Sequence, residues 1–220
     1  MAALRALIFD MDGTIVDNMR YHDAAWAEWY GRHGLTFDAE VHFHSTAGRT
    51  TAETFASLKP GSTAADHAAW GAEKEALYHE SYGPHVAELA GLSALLDAAD
   101  ACGLKLAVAT AAPPVNIAFI LDRLDLRRRF GAIASPSMGL RGKPNPDIFL
   151  KAAELLDVQP EACLVFEDAP LGVEAARRAG MQAVAVTTHV GPEAFLTYPN
   201  RIATIQDFTG FDLAGLMDAG

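Results

Sequence analysis

The chain has 220 residues, half of them apolar and a fifth charged, enough to bury a substantial core in one domain or in a domain carrying a large insertion. A formal charge of -11, without any run of Lys and Arg, argues against nucleic acid or an anionic membrane as the main partner. Two cysteines, Cys102 and Cys163, are too few for a disulfide framework and read as core residues. With no leader-like apolar region and no long apolar window, the expectation is a cytoplasmic protein that binds no membrane.

The first element expected is a buried strand at 5–9, "RALIF". It runs directly into Asp10 and Asp12, then Gly13 and Thr14. Burying one unpaired carboxylate is costly, and two side by side repel each other. Residues two apart on extended chain point the same way, so a divalent cation would relieve the repulsion, and hard oxygen ligands with waters suit Mg²⁺. The alternative for a DxDG loop is an ordinary turn with Asx capping.

From 17 to 84 the pattern changes. Helical stretches at 19–34 and 64–83 have no convincing strand between them, and Gly83-Pro84 closes a helical module inserted after the first strand. Trp26 and Trp29 are expected to form its core. His22 is either a functional residue or an ordinary half-buried one. Arg49, in the Gly-containing turn "AGRT", can swing toward a substrate phosphate or sugar hydroxyl. Lys74 faces either the cleft or solvent, and His42 and His44 read as surface of the module.

Beyond 84, apolar runs at 105–110, 131–135, 163–167 and 182–186 alternate with amphipathic helices at 92–102, 114–124, 146–157 and 171–180. Repeated βαβ units give an α/β fold with a doubly wound parallel sheet. Ligands of such sheets bind outside the carboxyl ends of the strands. There the sequence places Asp10, then Thr110, then Lys143 in a Pro-rich turn, then Glu167 and Asp168. Each has a plain reading, as a helix cap or a solvated charge; together on one rim they form a constellation.

This constellation resembles the haloacid dehalogenase superfamily, more narrowly its β-phosphoglucomutase-like branch. The resemblance rests on "DMDGT" (10–14), Thr110, Lys143 with "KPNPDIF", and "EDAPLG" (167–172), in order, and in the inserted module on His22, Trp26, Arg49, Lys74 and Tyr78. It implies a Rossmann-like core at 1–16 and 85–220, a C1-type helical cap at 17–84, a Mg²⁺ cofactor, and phosphoryl transfer through a covalent aspartate. Asp10 is then the nucleophile. Asp12 is the proton carrier, with a pKa expected above the reference value of about 4. Thr110 and Lys143 hold phosphate oxygens. Asp10, the Asp12 carbonyl, Asp168 and Glu167, directly or through water, hold the metal. His22, Arg49, Lys74 and Asn116 are the candidate substrate contacts from the cap side. The expected partner is a small phosphorylated metabolite, met by a monomer or weak oligomer.

Three departures from the mutase pattern shape the functional expectation. Asn18 replaces a hinge Thr, the loop "TAAPPVN" (110–116) lacks a second serine, and Ala47 stands where pyrophosphate-cleaving relatives carry an acid. The expectation is a Mg²⁺-dependent phosphatase of sugar phosphates, with a phosphosugar mutase as the alternative and a pyrophosphatase after it. Dehalogenation has no need of Asp12, and a phosphonate hydrolase would use a Schiff-base lysine and a different residue at 12. A regulatory protein without turnover would not need every core position filled.

Overall fold

The computed structural model describes residues 3–46 and 49–218. Strand β1 (Ala6–Phe9) is followed by α1 (Met19–Arg32), α2 (Ala39–Thr46), α3 (Thr51–Leu58) and α4 (Ala64–Tyr82) before the chain returns through α5 (Leu92–Ala101) to β2 (Lys105–Ala109). Then come α6 (Pro114–Leu121), β3 (Ala132–Ala134), α7 (Asp147–Leu156), β4 (Cys163–Glu167), α8 (Pro170–Arg178), β5 (Gln182–Val186), β6 (Arg201–Ile205) and α9 (Leu213–Asp218).

Among the described residues the strands form one sheet in the order β3-β2-β1-β4-β5-β6, all neighbours parallel. Both faces are covered, and the strand sequences show how. Leu7, Phe9, Leu106, Val108, Leu164, Phe166, Val184 and Val186 point to one side, where α5, α6 and α9 pack. Their neighbours Ala6, Ile8, Ala107, Ala109, Cys163, Val165, Ala183 and Ala185 point to the other, against α7 and α8. Alternation of large and small side chains along each strand thus assigns bulk to one face and close helix approach to the other. Phe9 stacks on Phe166 at 4.8 Å between ring centroids, which registers β1 on β4.

The inserted helices carry their own cluster of Trp26, Trp29, Tyr30 and Phe55. Trp26 and Trp29 are buried there, as the sequence indicates. The β6 strand and α9 have no counterpart in the sequence reading. The reason is physical: β6 is a half-exposed edge strand joined to β5 through a register irregularity, so its apolar pattern is diluted. Cys163 is buried in β4, and burial pushes its thiol up to about 12. Cys102, expected in the core, is instead exposed at the C-terminal end of α5.

Candidate active site

The register β1↔β2 and β1↔β4 brings three strand ends to one rim. Phe9 pairs with Val108 and Phe166, so Asp10 follows β1 beside Glu167 and near Thr110. The Asp10 backbone N–H donates to the Phe166 carbonyl at 2.9 Å, extending the ladder under the site. Chain reversal after Asp12 needs Gly13, whose φ is +78°. A Cβ there would lie 2.0 Å from Asp168 Oδ2, so the glycine also makes room for a carboxylate. Gly172 does the same on α8, where a Cβ would fall 1.9 Å from Glu167 Oε1.

Lys143 reaches this rim from the loop before α7. Its Nζ donates to Asp10 Oδ1 at 2.6 Å and to Glu167 Oε1, while Glu167 Oε2 accepts from the Ala169 N–H at 2.8 Å. Carboxylate oxygens of Asp10, Glu167 and Asp168 lie within 4.8 Å of one another, all three buried. Burial, offset by Lys143 and reinforced by Glu167 and Asp12, pushes the Asp10 carboxyl up to about 8. Burial and the neighbouring Glu167 and Asp10 raise Asp168 well above the usual carboxylate range, while its carboxylate neighbours outweigh burial to raise Lys143. Three carboxylates share one ammonium, so their full ionisation leaves two surplus negative charges in a desolvated spot. That is the charge of a divalent cation, and an all-oxygen donor set suits Mg²⁺, so the residues present fit the metal.

Asp12 differs from the expectation. Burial pushes its carboxyl up, but donors from His22 and Asn18 and the charge of Lys74 outweigh it, so Asp12 sits below its ordinary value rather than above. Its Oδ1 accepts from Asn18 Nδ2 at 2.6 Å and lies 3.4 Å from His22 Nε2. Lys74 Nζ donates to His22 Nδ1 at 2.7 Å, which leaves the ring proton on Nε2, facing Asp12. Asn18 also accepts from the Gly13 N–H at 3.0 Å and donates to Tyr78 Oη at 2.7 Å, and Tyr78 stacks on His22 at 3.9 Å. Asn18 thereby ties the Asp12 loop to α4.

The network continues across to the core. Lys74 Nζ lies 3.4 and 3.3 Å from the Glu75 carboxylate, Asn116 Nδ2 on α6 donates to Glu75 Oε2 at 2.8 Å, and Asn116 Oδ1 meets His79 Nε2 at 2.8 Å. Lys74 is buried rather than solvent-facing and lines a cavity shared with Asp10 and Asp12. Thr110 is buried, its Oγ1 accepting from the Ala112 N–H at 3.0 Å.

All ten residues singled out from the sequence line one cavity of about 140 Å³: Asp10, Asp12, His22, Arg49, Lys74, Thr110, Asn116, Lys143, Glu167 and Asp168. His42 lines it too. It was expected on the surface but is buried, hydrogen-bonded through Nδ1 to Tyr30 Oη at 3.0 Å and packed on Trp26, because α2 folds back onto α1. Burial, aided by the Lys74 charge, pushes His42 down to about 4. The His44 side chain lies outside the described residues. Glu75 is another cavity residue that sequence reasoning passed over, since a Glu flanked by Lys in "EKEALY" looks like a solvated helix face.

The inserted helices and the core also meet at Gly142, next to Lys143. A Cβ at 142 would come 2.6 Å from Glu53 Oε2 and 3.4 Å from Arg49 Cα. Glu53 is held in place there, its Oε2 accepting from the Thr50 N–H at 2.8 Å and Thr50 Oγ1 at 2.9 Å.

Comparison with known proteins gives a consistent result. Residues 4–180 match the family model of haloacid dehalogenase-like hydrolases. The chain is 35% identical over 191 residues to fructose-1-phosphate phosphatase YqaB of Escherichia coli, covering 82% of this chain and 95% of that protein. It is 34% identical over 195 residues to β-phosphoglucomutase of Bacillus subtilis, covering 83% of each. A crystal structure of β-phosphoglucomutase from Clostridium difficile superposes with a TM-score of 0.84 at 25% identity, covering 98% of this chain and 96% of that one. A parallel sheet with carboxylates at two adjacent strand ends, a buried lysine between them and a family match across most of the chain lead to one conclusion: the protein belongs to the haloacid dehalogenase-like hydrolases.

Proposed function

We propose that the protein is a Mg²⁺-dependent phosphatase of small phosphorylated metabolites, sugar phosphates foremost, with 17–84 acting as a cap over the core. The observation that carries this reading is the buried Asp10–Lys143–Glu167–Asp168 cluster with Asp12 on the same cavity wall. Asp10, Glu167 and Asp168, with the Asp12 backbone carbonyl, would hold the metal, which when bound supplies the positive charge that keeps Asp10 ionised and draws in a phosphate.

Asp10 attacks phosphorus and the ester P–O bond breaks, leaving the phosphoryl group on the aspartate. Thr110 and Lys143 face the equatorial oxygens, where charge develops. Asp12 gives a proton to the leaving alkoxide and then takes one from the water that releases phosphate. With donors from Asn18 and His22 it rests as the base; a dianionic phosphate beside it raises its proton affinity for the acid step.

The 111–113 stretch of the cavity lining separates a phosphatase from a phosphosugar mutase in this reading. A mutase must grip a second phosphate while the sugar turns, yet Ala111, Ala112 and Pro113 offer no side-chain donor there, and the Ala112 N–H is already bonded to Thr110. Incubating the enzyme with Mg²⁺, β-glucose 1-phosphate and a trace of the 1,6-bisphosphate, and following glucose 6-phosphate and free phosphate together, tests the reading. Free phosphate should dominate. Rapid glucose 6-phosphate with little free phosphate would replace the phosphatase by the mutase.

A further inference from the structure

Glu75 has a position that the chemistry at Asp10 does not use. It is buried on α4 and lines the catalytic cavity; its Oε2 is taken by Asn116 Nδ2 at 2.8 Å, whereas the only hydrogen bond found for Oε1 among the described residues is a long one, 3.4 Å from Lys74. That oxygen keeps acceptor capacity. Lys74 pairs with the Glu75 carboxylate at 3.3 Å while its shorter bond, 2.7 Å, goes to His22, so it gives Oε1 no close donor. Ala111 and Pro113 line the same cavity as Glu75, and Pro113 has no N–H at all. A groove of about 560 Å³ opens beyond, sharing Thr51, Glu75, Ala111 and Pro113 with the catalytic cavity and otherwise lined mainly by alanines and prolines.

We propose that Glu75 is a specificity residue that accepts a hydrogen bond from a substrate hydroxyl and rejects a second anionic group, so that the protein takes monophosphate esters with a neutral, hydroxylated distal end. This rests on the phosphatase reading for the identity of the reacting phosphate. A carboxylate that only accepts, beside a wall without side-chain donors, leaves a distal phosphate unpaired, and specificity comes as much from such mismatch as from attraction. A hydroxyl meets the opposite fate, donating to Oε1 while the rest of a neutral chain extends into the groove. Arg49 reaches the cavity from the cap and gives the distal end one further polar contact, which limits the discrimination to about one order of magnitude rather than many.

The test is binding, so that it does not depend on turnover. Fructose 1-phosphate and fructose 1,6-bisphosphate differ only in the distal phosphate, and calorimetric Kd values for both are measured with Mg²⁺ on the Asp10→Asn background. The monophosphate should bind about tenfold more tightly. Adding Glu75→Gln, which keeps the shape, should shrink that ratio to threefold or less, mostly by tighter binding of the bisphosphate. Pro113→Lys, which leaves Glu75 and Asn116 untouched, should shift the ratio in the same direction and covers the case in which Glu75→Gln does not fold. A bisphosphate that binds as well as the monophosphate, a ratio unmoved by the variants, or binding of neither sugar overturns the proposal. Phosphate release by the wild-type enzyme from a panel of monophosphates reports separately on the phosphatase reading.

Discussion

Asp10 carries more negative surroundings than its one lysine balances, which gives its replacement two readable effects. On the proposed mechanism, Asp10→Asn should lower kcat by more than about 10³-fold, because the amide is no nucleophile toward phosphorus. It should also leave the melting temperature in metal-free buffer unchanged or raise it, because burial already holds the Asp10 carboxyl up to about 8 and a neutral amide of the same shape escapes that penalty. Calorimetry alongside a phosphate assay reads both; a large drop in melting temperature would contradict the charge count. Mg²⁺ at about a hundred times its Kd should stabilise the wild type by about 2.7 kcal/mol. In Asp168→Ala that gain should disappear, a readout independent of turnover.

His42 links residue chemistry to pH. In the folded protein it stays neutral down to about 4, while an unfolded histidine titrates near 6.5, so the unfolded state binds the extra proton between these values. Stability should therefore be fully present above pH 6.5 and fall as the pH drops toward 4, by about 2 kcal/mol at pH 5 relative to pH 7.5. Urea midpoints at the two pH values for wild type and His42→Gln check it: the variant should lose part of this dependence. Equal dependence in both would mean His42 is not the sensing group.

What was readable from sequence at this scale follows from distance along the chain. Asp10, Thr110, Lys143, Glu167 and Asp168 were legible because each ends or follows a strand, and a parallel sheet brings such ends together. The pKa of Asp12 was misjudged because its donors, His22 and Asn18, act together with Lys74, 62 residues away in sequence, and no local pattern shows that they converge. His42 looked exposed for a similar reason: its partners Tyr30 and Trp26 belong to another helix.

Among elements, the strands buried on both faces and the long helices α1 and α4 announce themselves, whereas short α2 and α3, edge strand β6 and terminal α9 do not. Burial makes the difference, since a strand covered on both sides must be continuously apolar and an edge strand need not be. The helix starts inside the insertion are written more plainly. Thr50 with Glu53 and Thr63 with Asp66 form reciprocal capping boxes at α3 and α4. Thr63→Ala should cost about 1 kcal/mol in urea unfolding, with Thr63→Ser close to wild type. A cost no larger than that of a remote surface alanine would show that α4 is held by its packing on α1 alone.

At the scale of the whole molecule, a chain of charge -11 buries two lysines, Lys74 and Lys143, in the lining of its candidate site, and overall charge says little about that site. The two parts of that site, Arg49 on the insertion and Lys143 on the core, are brought together at Gly142. The backbone at 142 is not among the positive-φ glycines, so any residue could adopt its conformation; only the space is restricted, and the atoms that restrict it belong to Glu53 and Arg49. A leucine there would act as a doorstop. Gly142→Leu should fold normally yet keep the mouth ajar, costing about tenfold in kcat/KM on the best sugar phosphate while sparing, or even favouring, a bulky aryl phosphate that never needed the door shut. Uniform loss on both substrates would place the fault in Lys143 itself. On that outcome, one missing side chain sets how choosy the enzyme is, and filling it makes a generalist.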